Sequence, residues 1–410
     1  MNATLASTST GETIAVAGDR ISSIDIFRGL TMAVMIFVNA LSDGVHGLPW
    51  WTYHAKAQQD LMTYVDMVFP FFLFAVGLSL PLSIAQRLRR HSSVAALWVH
   101  VVVRSASLVV LGLVLANADQ ADRARMGFSG SLWGLLCLLC AGLYLNVYGK
   151  SERARAWAWP LRILGLVGLA ILLALFRRTT ETGHAAWLDF SYPEILGLIG
   201  LSYLAAAILY IPTRRWRWAP LAWFAVLLAF NILSTARLVS VRLPIYVWPF
   251  DNGAMACIVM AGVVVSSIFL RPDRTLPVSR TISIGVLFGL LAFAGAYLLI
   301  PLGISKIRAT PTWSLYSIAA ATFLFILLYW VCDMRRRQGW AWLVRPAGGN
   351  TLTTYLLPDL WAFVCGAVAL TWWDMHYKYG WPGVVKTLIF TFAILILARI
   401  LTRAKIRLQL

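Results

Sequence analysis

Twelve apolar runs follow one another along this chain, each close to the about 20 residues that cross a bilayer as a helix. They fall at roughly 24–42, 63–85, 94–116, 131–148, 158–176, 191–211, 219–238, 252–270, 281–301, 312–332, 349–370 and 384–402. Lipid offers no water to the backbone, so each run must pair its own N–H and C=O groups, and within one segment only a helix does so. The expected fold class is all-α: a polytopic integral membrane helical bundle of about 11–12 transmembrane helices, the fourth and fifth runs being the least distinct. Twelve spans would use roughly 240 of the 410 residues, which leaves loops but no soluble domain. Only 13% of residues are charged and 60% are hydrophobic, about half the charged share of a soluble protein. A soluble enzyme, a disordered scaffold and a disulfide-stapled module are excluded. Residues 1–19 are rich in Ser, Thr and Ala, with no basic n-region and no apolar core. They read as a flexible tail rather than a cleaved signal, and 20–410 as a single transmembrane domain.

The net charge is +18, from 35 Lys and Arg against 17 Asp and Glu. In a soluble chain this would suggest nucleic acid; here the basic residues sit in short loops between apolar runs. With the N-terminus in the cytoplasm, one set of loops holds Arg87, Arg89 and Arg90, Lys150, Arg153 and Arg155, Arg214, Arg215 and Arg217, Arg271, Arg274 and Arg280, Arg335, Arg336, Arg337 and Arg345, and the tail Arg403, Lys405 and Arg407. The bias is roughly two to one, which predicts that both termini are cytoplasmic. The opposite loops are rich in Trp and Tyr, including Trp50, Trp51, Tyr53, Trp372, Trp373, Tyr377, Tyr379 and Trp381. An interfacial aromatic belt explains them; a sugar-stacking surface is the other reading. All five cysteines, Cys137, Cys140, Cys257, Cys332 and Cys365, lie in apolar stretches. Cys137-x-x-Cys140 has no second pair or His cluster beside it, so it reads as packing and no metal site is expected.

In so apolar a chain, polar residues at membrane depth need a reason, because an Arg or carboxylate at a helix centre costs roughly 2.5–3.5 kcal/mol on insertion scales. The first run holds Asp25, Arg28 and Asn39. Asp25 and Arg28 are within ion-pair reach, while Arg28 and Asn39 share a helix face about 16 Å apart along the axis. Mutual neutralisation of Asp25 and Arg28 and a functional role fit equally well. The loop after it carries His46, His54, Lys56 and Asp60, and the second run opens with Asp66 and Pro70. Pro70 has no N–H, so the carbonyl of Asp66 loses its helical partner and a kink is expected. A histidine beside a carboxylate exchanges protons near neutral pH with a fixed tautomer. Arg104, Glu194, Asp251, Asn252, Asp333, Asn350 and Asp359 are further polar outliers. A pairing of Arg104 with a buried acid is expected, and the glycines of Pro346-Ala-Gly-Gly-Asn350 fit either a loop approaching a ligand or a turn.

The run Arg20-Ile-Ser-Ser-Ile-Asp25-Ile-Phe-Arg28-Gly-Leu-Thr31, then Val38-Asn39, His54-Ala55 and Asp66-Met-Val-Phe-Pro70-Phe-Phe-Leu-Phe-Ala-Val-Gly77, resembles the heparan-α-glucosaminide N-acetyltransferase family, with its bacterial inner-membrane NagX-type branch. Order and spacing agree over about the first 85 residues. Ile304-Ser-Lys306-Ile-Arg-Ala-Thr310-Pro-Thr-Trp313 and Gly349-Asn350-Thr-Leu-Thr-Thr-Tyr355 look like the bacterial branch. The resemblance implies transfer of acetyl from cytoplasmic acetyl-CoA to the amine of a glucosamine-type amino sugar on the far side. His54 matches the family's catalytic histidine, Asn39 and Asp66 its asparagine and aspartate. The chain departs from the family where Ala57-Gln-Gln-Asp-Leu-Met-Thr63 replaces Trp-x-Gly-Leu-Thr, and the large lumenal domain of the animal members is absent.

Thioester aminolysis needs a base for the amine proton, donors for the developing oxyanion and shelter from hydrolysis. His54, oriented by Asp66, and Asn39 suit the first two. Arg28, Asp25, Arg87, Arg345 and Asn350, with Arg89 or Arg335, are the candidates for holding the CoA head group by charge-assisted bonds. Two other readings stay open: an O-acetyltransferase of cell-envelope glycans, and a transporter passing a small polar solute along the same path. The expected partners are acetyl-CoA, an amino-sugar acceptor and the lipid bilayer, with no nucleic acid; the sequence is compatible with a homodimer.

Overall fold

The computed structural model describes residues 22–90, 93–149, 151–270, 277–370 and 372–409. The tail expected over 1–19 lies outside them, as do Lys150, Arg271 and Arg274. Twelve helices of sixteen residues or more occur among the described residues: α1 (Ser22–Gly44), α2 (Val68–Arg90), α3 (Val94–Ala118), α4 (Gly130–Leu145), α5 (Glu152–Leu175), α6 (Glu194–Thr213), α7 (Ala219–Thr235), α8 (Ala254–Phe269), α9 (Val278–Leu298), α10 (Pro311–Leu328), α11 (Thr351–Ala367) and α12 (Gly380–Arg403). Each coincides with one apolar run. Eight are long and apolar enough to cross a membrane by length and composition. The others have 16 or 17 residues, about 24–26 Å, which is less than the hydrocarbon thickness. For α8 that shortfall has no cost, since nearly all of it is buried among other helices. The chain is a multi-pass helical membrane protein. Its only β-pairing among the described residues, bridges aside, is a two-residue hairpin, Arg178–Thr179 with Ala185–Ala186.

Both described chain ends lie on one side of the bundle, called here the proximal end. Hydrogen bonds tie that end together. The amides of Ser22 and Ser23 donate to the Asp333 carboxylate at 3.1 and 3.2 Å, where the N-terminus of α1 favours an anion. Val147 N–H donates to the Arg407 carbonyl and Gln409 N–H to that of Leu145. At the distal end, His46 exchanges backbone bonds with Lys378 and Gly380, joining the α1–α2 loop to the α11–α12 loop.

The core is built by close backbone approach, the usual solution where lipid supplies no hydrophobic drive between helices. α2 lies against α8 through Gly77 and Gly262: a Cβ on either would overlap a carbonyl oxygen of the other helix, that of Val259 or Phe74. α1 lies in the same way against a short helix, Val344–Gly349, through Gly29 and Gly348. The glycines before Asn350 therefore form neither a ligand loop nor a bare turn; tertiary packing keeps them helical against poor intrinsic propensity. Near the proximal half, Phe27 of α1, Phe71 and Phe74 of α2, Phe269 of α8 and Phe325 and Tyr329 at the end of α10 form an aromatic cluster, with neighbouring centroids 5.2–6.4 Å apart.

Gly262→Ala should therefore destabilise the purified protein in detergent by about 1–3 kcal/mol, the cost of an overpacked core, and so lower its thermal midpoint. Gly142→Ala, on a stretch of α4 where a Cβ meets nothing within 4 Å, should leave it unchanged.

Candidate active site

Asp66 organises the distal end. Thr63-x-x-Asp66 is a capping-box spacing, and it starts a 3-10 turn, Tyr64–Met67, that runs directly into α2. The Asp66 side chain is 1% exposed, so its carboxylate must be met by donors. It is: Thr63 N–H donates at 3.1 Å and Ala55 N–H at 3.2 Å to one oxygen, and His54 Nδ1 donates at 2.7 Å to the other. Pro70 falls in the first turn of α2, where a missing N–H is tolerated, so the expected kink does not form. The Asp66 carbonyl is nevertheless left for an outside donor, and the indole N–H of fully buried Trp313 supplies it at 3.0 Å.

With Nδ1 bound to Asp66, the other ring nitrogen of His54 is the one that can exchange a proton with a substrate. His54 lines a narrow crevice with Asn39 and Met35 of α1, Phe69 and Phe72 of α2, and Lys306. Its volume of about 10 Å³ is room for about one water. The Lys306 ammonium is 3.4 Å from His54 Nδ1. Because that nitrogen's proton goes to Asp66, this is a charge placed against the imidazole edge rather than a second hydrogen bond. The Lys306 loop is itself pinned. Asn231 and Asn252 both donate to the Ala309 carbonyl at 3.1 Å, Arg308 pairs with Asp60, and Ser305 N–H donates to Thr310 Oγ1. Glu194, within electrostatic reach of Lys306, accepts from Tyr355 at 3.1 Å, and Asp359 lies close to Glu194.

The head-group candidates gather at the other end, with one exception. Asp25 and Arg345 line an open cleft of about 480 Å³ with Arg407 and Trp342. A second hollow of about 430 Å³ adjoins it through Trp342 and Arg407 and adds Arg399, Arg403 and Lys405. Arg399 stacks on Trp342 at 4.6 Å, and Arg345 donates to Gln338. Arg28 lines neither hollow; it donates at 2.6 Å to Thr351, two residues beyond Gly349 of the cleft wall. The amide of Asn350 is taken up by the fold: it donates to Thr402 and to the Ile406 carbonyl and accepts from Thr353, anchoring the C-terminal segment. Arg87 stands apart, beside Tyr203 and Arg104. A basic, aromatic-floored cleft of this size suits a phosphate-bearing ligand.

One face of α1 joins the two regions. Asp25, Arg28, Met32, Met35 and Asn39 fall within an arc of about 80°, and Asp25 and Asn39 are about 21 Å apart by helical rise. The sequence motifs point to His54, Asn39 and Asp66; the structure brings His54 and Asn39 to one crevice, with Asp66 bound behind the imidazole. Lys306 and Trp313 were visible only within a longer motif; a lysine in a loop has no local signature, and only the fold turns it toward His54.

Comparison with known proteins fits this distribution. Residues 20–256 match the model of a family described as a domain of unknown function, DUF5009. Over 108 residues the chain is 34% identical to the heparan-alpha-glucosaminide N-acetyltransferase of Mus musculus, covering 26% of this chain and 16% of that protein. Over 100 residues it is 35% identical to the Homo sapiens protein of the same name, covering 24% and 14%. The chain thus aligns with about a sixth of the length of these curated relatives, and the resemblance read from the motifs stands. With more than half of its length matched to one family model, the chain belongs to the DUF5009 family.

Proposed function

We propose that this protein is a transmembrane acetyltransferase of a bacterial inner membrane, moving acetyl from cytoplasmic acetyl-CoA to the amine of a periplasmic glucosamine-type sugar. The observation that carries the reading is the His54–Asp66 pair at 2.7 Å, opening on a crevice shared with Asn39 and Lys306, in a chain similar to two N-acetyltransferases. Residues 20–410 act as one unit, with the proximal end and both termini in the cytoplasm. The basic cleft around Arg345 and Arg407 holds the phosphates of CoA, and the pantetheine arm follows the α1 face past Arg28, Met32 and Met35. Methionine side chains reshape easily, so this face yields to a slender arm that the closed crevice does not yet accommodate.

At the distal end the amine nitrogen attacks the thioester carbonyl, and the free ring nitrogen of His54 takes the proton the amine loses. The carbonyl oxygen gains negative charge beside the Lys306 ammonium and the Asn39 amide, which stabilise it. The C–S bond then breaks, the sulfur leaves with the proton carried by His54, and the products are the acetamido sugar and free CoA thiol. Asp66 stays ionised and holds the imidazole in the donating tautomer. The charge on Lys306 also keeps a protonated acceptor amine from resting unreactive against the imidazole.

The direct test is thiol release by the purified protein given acetyl-CoA and a panel of amino sugars. Release that depends on glucosamine, and not on N-acetylglucosamine, is expected; no release with any amine overturns the reading. His54→Ala should lower turnover by about 10²–10⁴-fold while acetyl-CoA still binds. Asp66→Asn should also lower turnover and should shift the pH–rate profile, because the imidazole remains but loses the charge that favours its protonated form. Removing Arg345 and Arg407 together should raise KM for acetyl-CoA by about tenfold or more with kcat little changed, the pattern of lost uniform binding. For orientation, a cysteine at Gln58 should react with an impermeant maleimide from the periplasmic side. Labelling from the cytoplasmic side alone removes transfer across the membrane from the scheme.

A further inference from the structure

Arg87, His100 and Arg104 form a second basic cluster, remote from both regions described above. Arg87 lies three residues from the proximal end of α2, and His100 and Arg104 lie six and ten residues into α3. By helical rise they descend about 4, 9 and 15 Å into the bundle. They are within electrostatic reach of one another. Sequence reasoning expected Arg104 to pair with an acid. It does not: α2 and α3 carry no carboxylate, and Glu194 of α6 lies at the opposite end of its helix. The Arg104 guanidinium instead lies over the ring of buried Tyr203, 4.9 Å from its centroid, and its Nε is buried with no hydrogen-bond partner. A cation–π contact leaves that N–H unmet, and in a low dielectric such a group calls for an anion.

The surroundings indicate which anion. α2 and α3 follow one another closely in sequence yet pack mainly elsewhere, α2 on α8 and α3 on α6. The α3–α6 contact is close, with Ser105 donating to the Gly200 carbonyl at 2.9 Å. α3 shows Val99, Val102 and Val103 exposed on its outer side. A phosphate at Arg87, His100 and Arg104 would thus have apolar surface beside it, open to hydrocarbon. We propose that this cluster binds the phosphate of an anionic phospholipid, its acyl chains lying along the outer face of α3. Basic pockets between spans at a membrane face commonly hold such head groups.

The test uses the full chain in detergent, stripped of lipid and titrated with fluorescent phosphatidylglycerol or phosphatidylcholine. Wild type should favour phosphatidylglycerol by about tenfold or more, equivalent to about 1.4 kcal/mol. Arg104→Gln should remove most of that preference. Should Arg104→Gln fail to fold, the paired change Arg87→Gln and His100→Gln, nearer the face, should reduce it instead. Equal affinity for the two lipids, or a preference unchanged in the folded variants, overturns the proposal. Inorganic phosphate and CoA should not compete at concentrations near that of the lipid. If either displaces it, the cluster takes a water-borne phosphate and the lipid assignment fails.

Discussion

A carboxylate removed from water persists only if protein donors replace the hydration it has lost, and Asp66 shows how much structure that demand recruits. Its oxygens draw in the amides of Ala55 and Thr63 and the ring of His54, which fixes the course of the loop between α1 and α2. Its carbonyl, released by Pro70, recruits Trp313 and so couples α2 to α10. The loop preceding Trp313 carries Lys306, and two asparagines, Asn231 and Asn252, hold that loop from α7 and from the segment before α8. These bonds run from one polar group to the next, and the imidazole is oriented as a result of the chain they form.

Glycine contacts do for the helices what these hydrogen bonds do for the loops. Gly29 and Gly348 let the short helix before Asn350 touch the backbone of α1 near Asp25, so the wall of the basic cleft and the face of α1 that leaves it are built together. Asn350 closes this corner by tying it to the chain terminus through Thr402 and Ile406. Two chemically different regions, one basic and open, the other narrow and centred on a His–Asp pair, therefore sit at the ends of a single helix face.

The helices were legible because lipid permits no other backbone solution, so apolar run length alone located twelve of them. The distal site was legible because His54, Asn39 and Asp66 are polar residues where an apolar chain has little use for them. What escaped depends on contacts between residues far apart in sequence. Pro70 suggested a kink, but a 3-10 turn ahead of it moved the α-helix start and made the missing N–H harmless. Lys306 and His54 are 252 positions apart, a proximity no local pattern encodes. Arg104 promised an ion pair and lies on an aromatic ring instead, because α2 and α3 hold no acid and Glu194 lies at the far end of α6. Asn350 looked like a ligand for the same reason it serves as an anchor: its amide can make several bonds at once.

The aromatic cluster of Phe27, Phe71, Phe74, Phe269, Phe325 and Tyr329 has an electrical consequence. Energised membranes hold a potential across a thin insulator, and each elementary charge crossing it dissipates about 2.3 kcal/mol per 100 mV. Polar side chains at both faces are the natural stepping stones for a leak. Here the crevice beside His54 has space for about one water, and rings packed 5.2–6.4 Å centre to centre fill the interior toward the proximal face. Along this route among the described residues, packed rings separate the reactive polar groups at the two surfaces and act as a dielectric barrier between them.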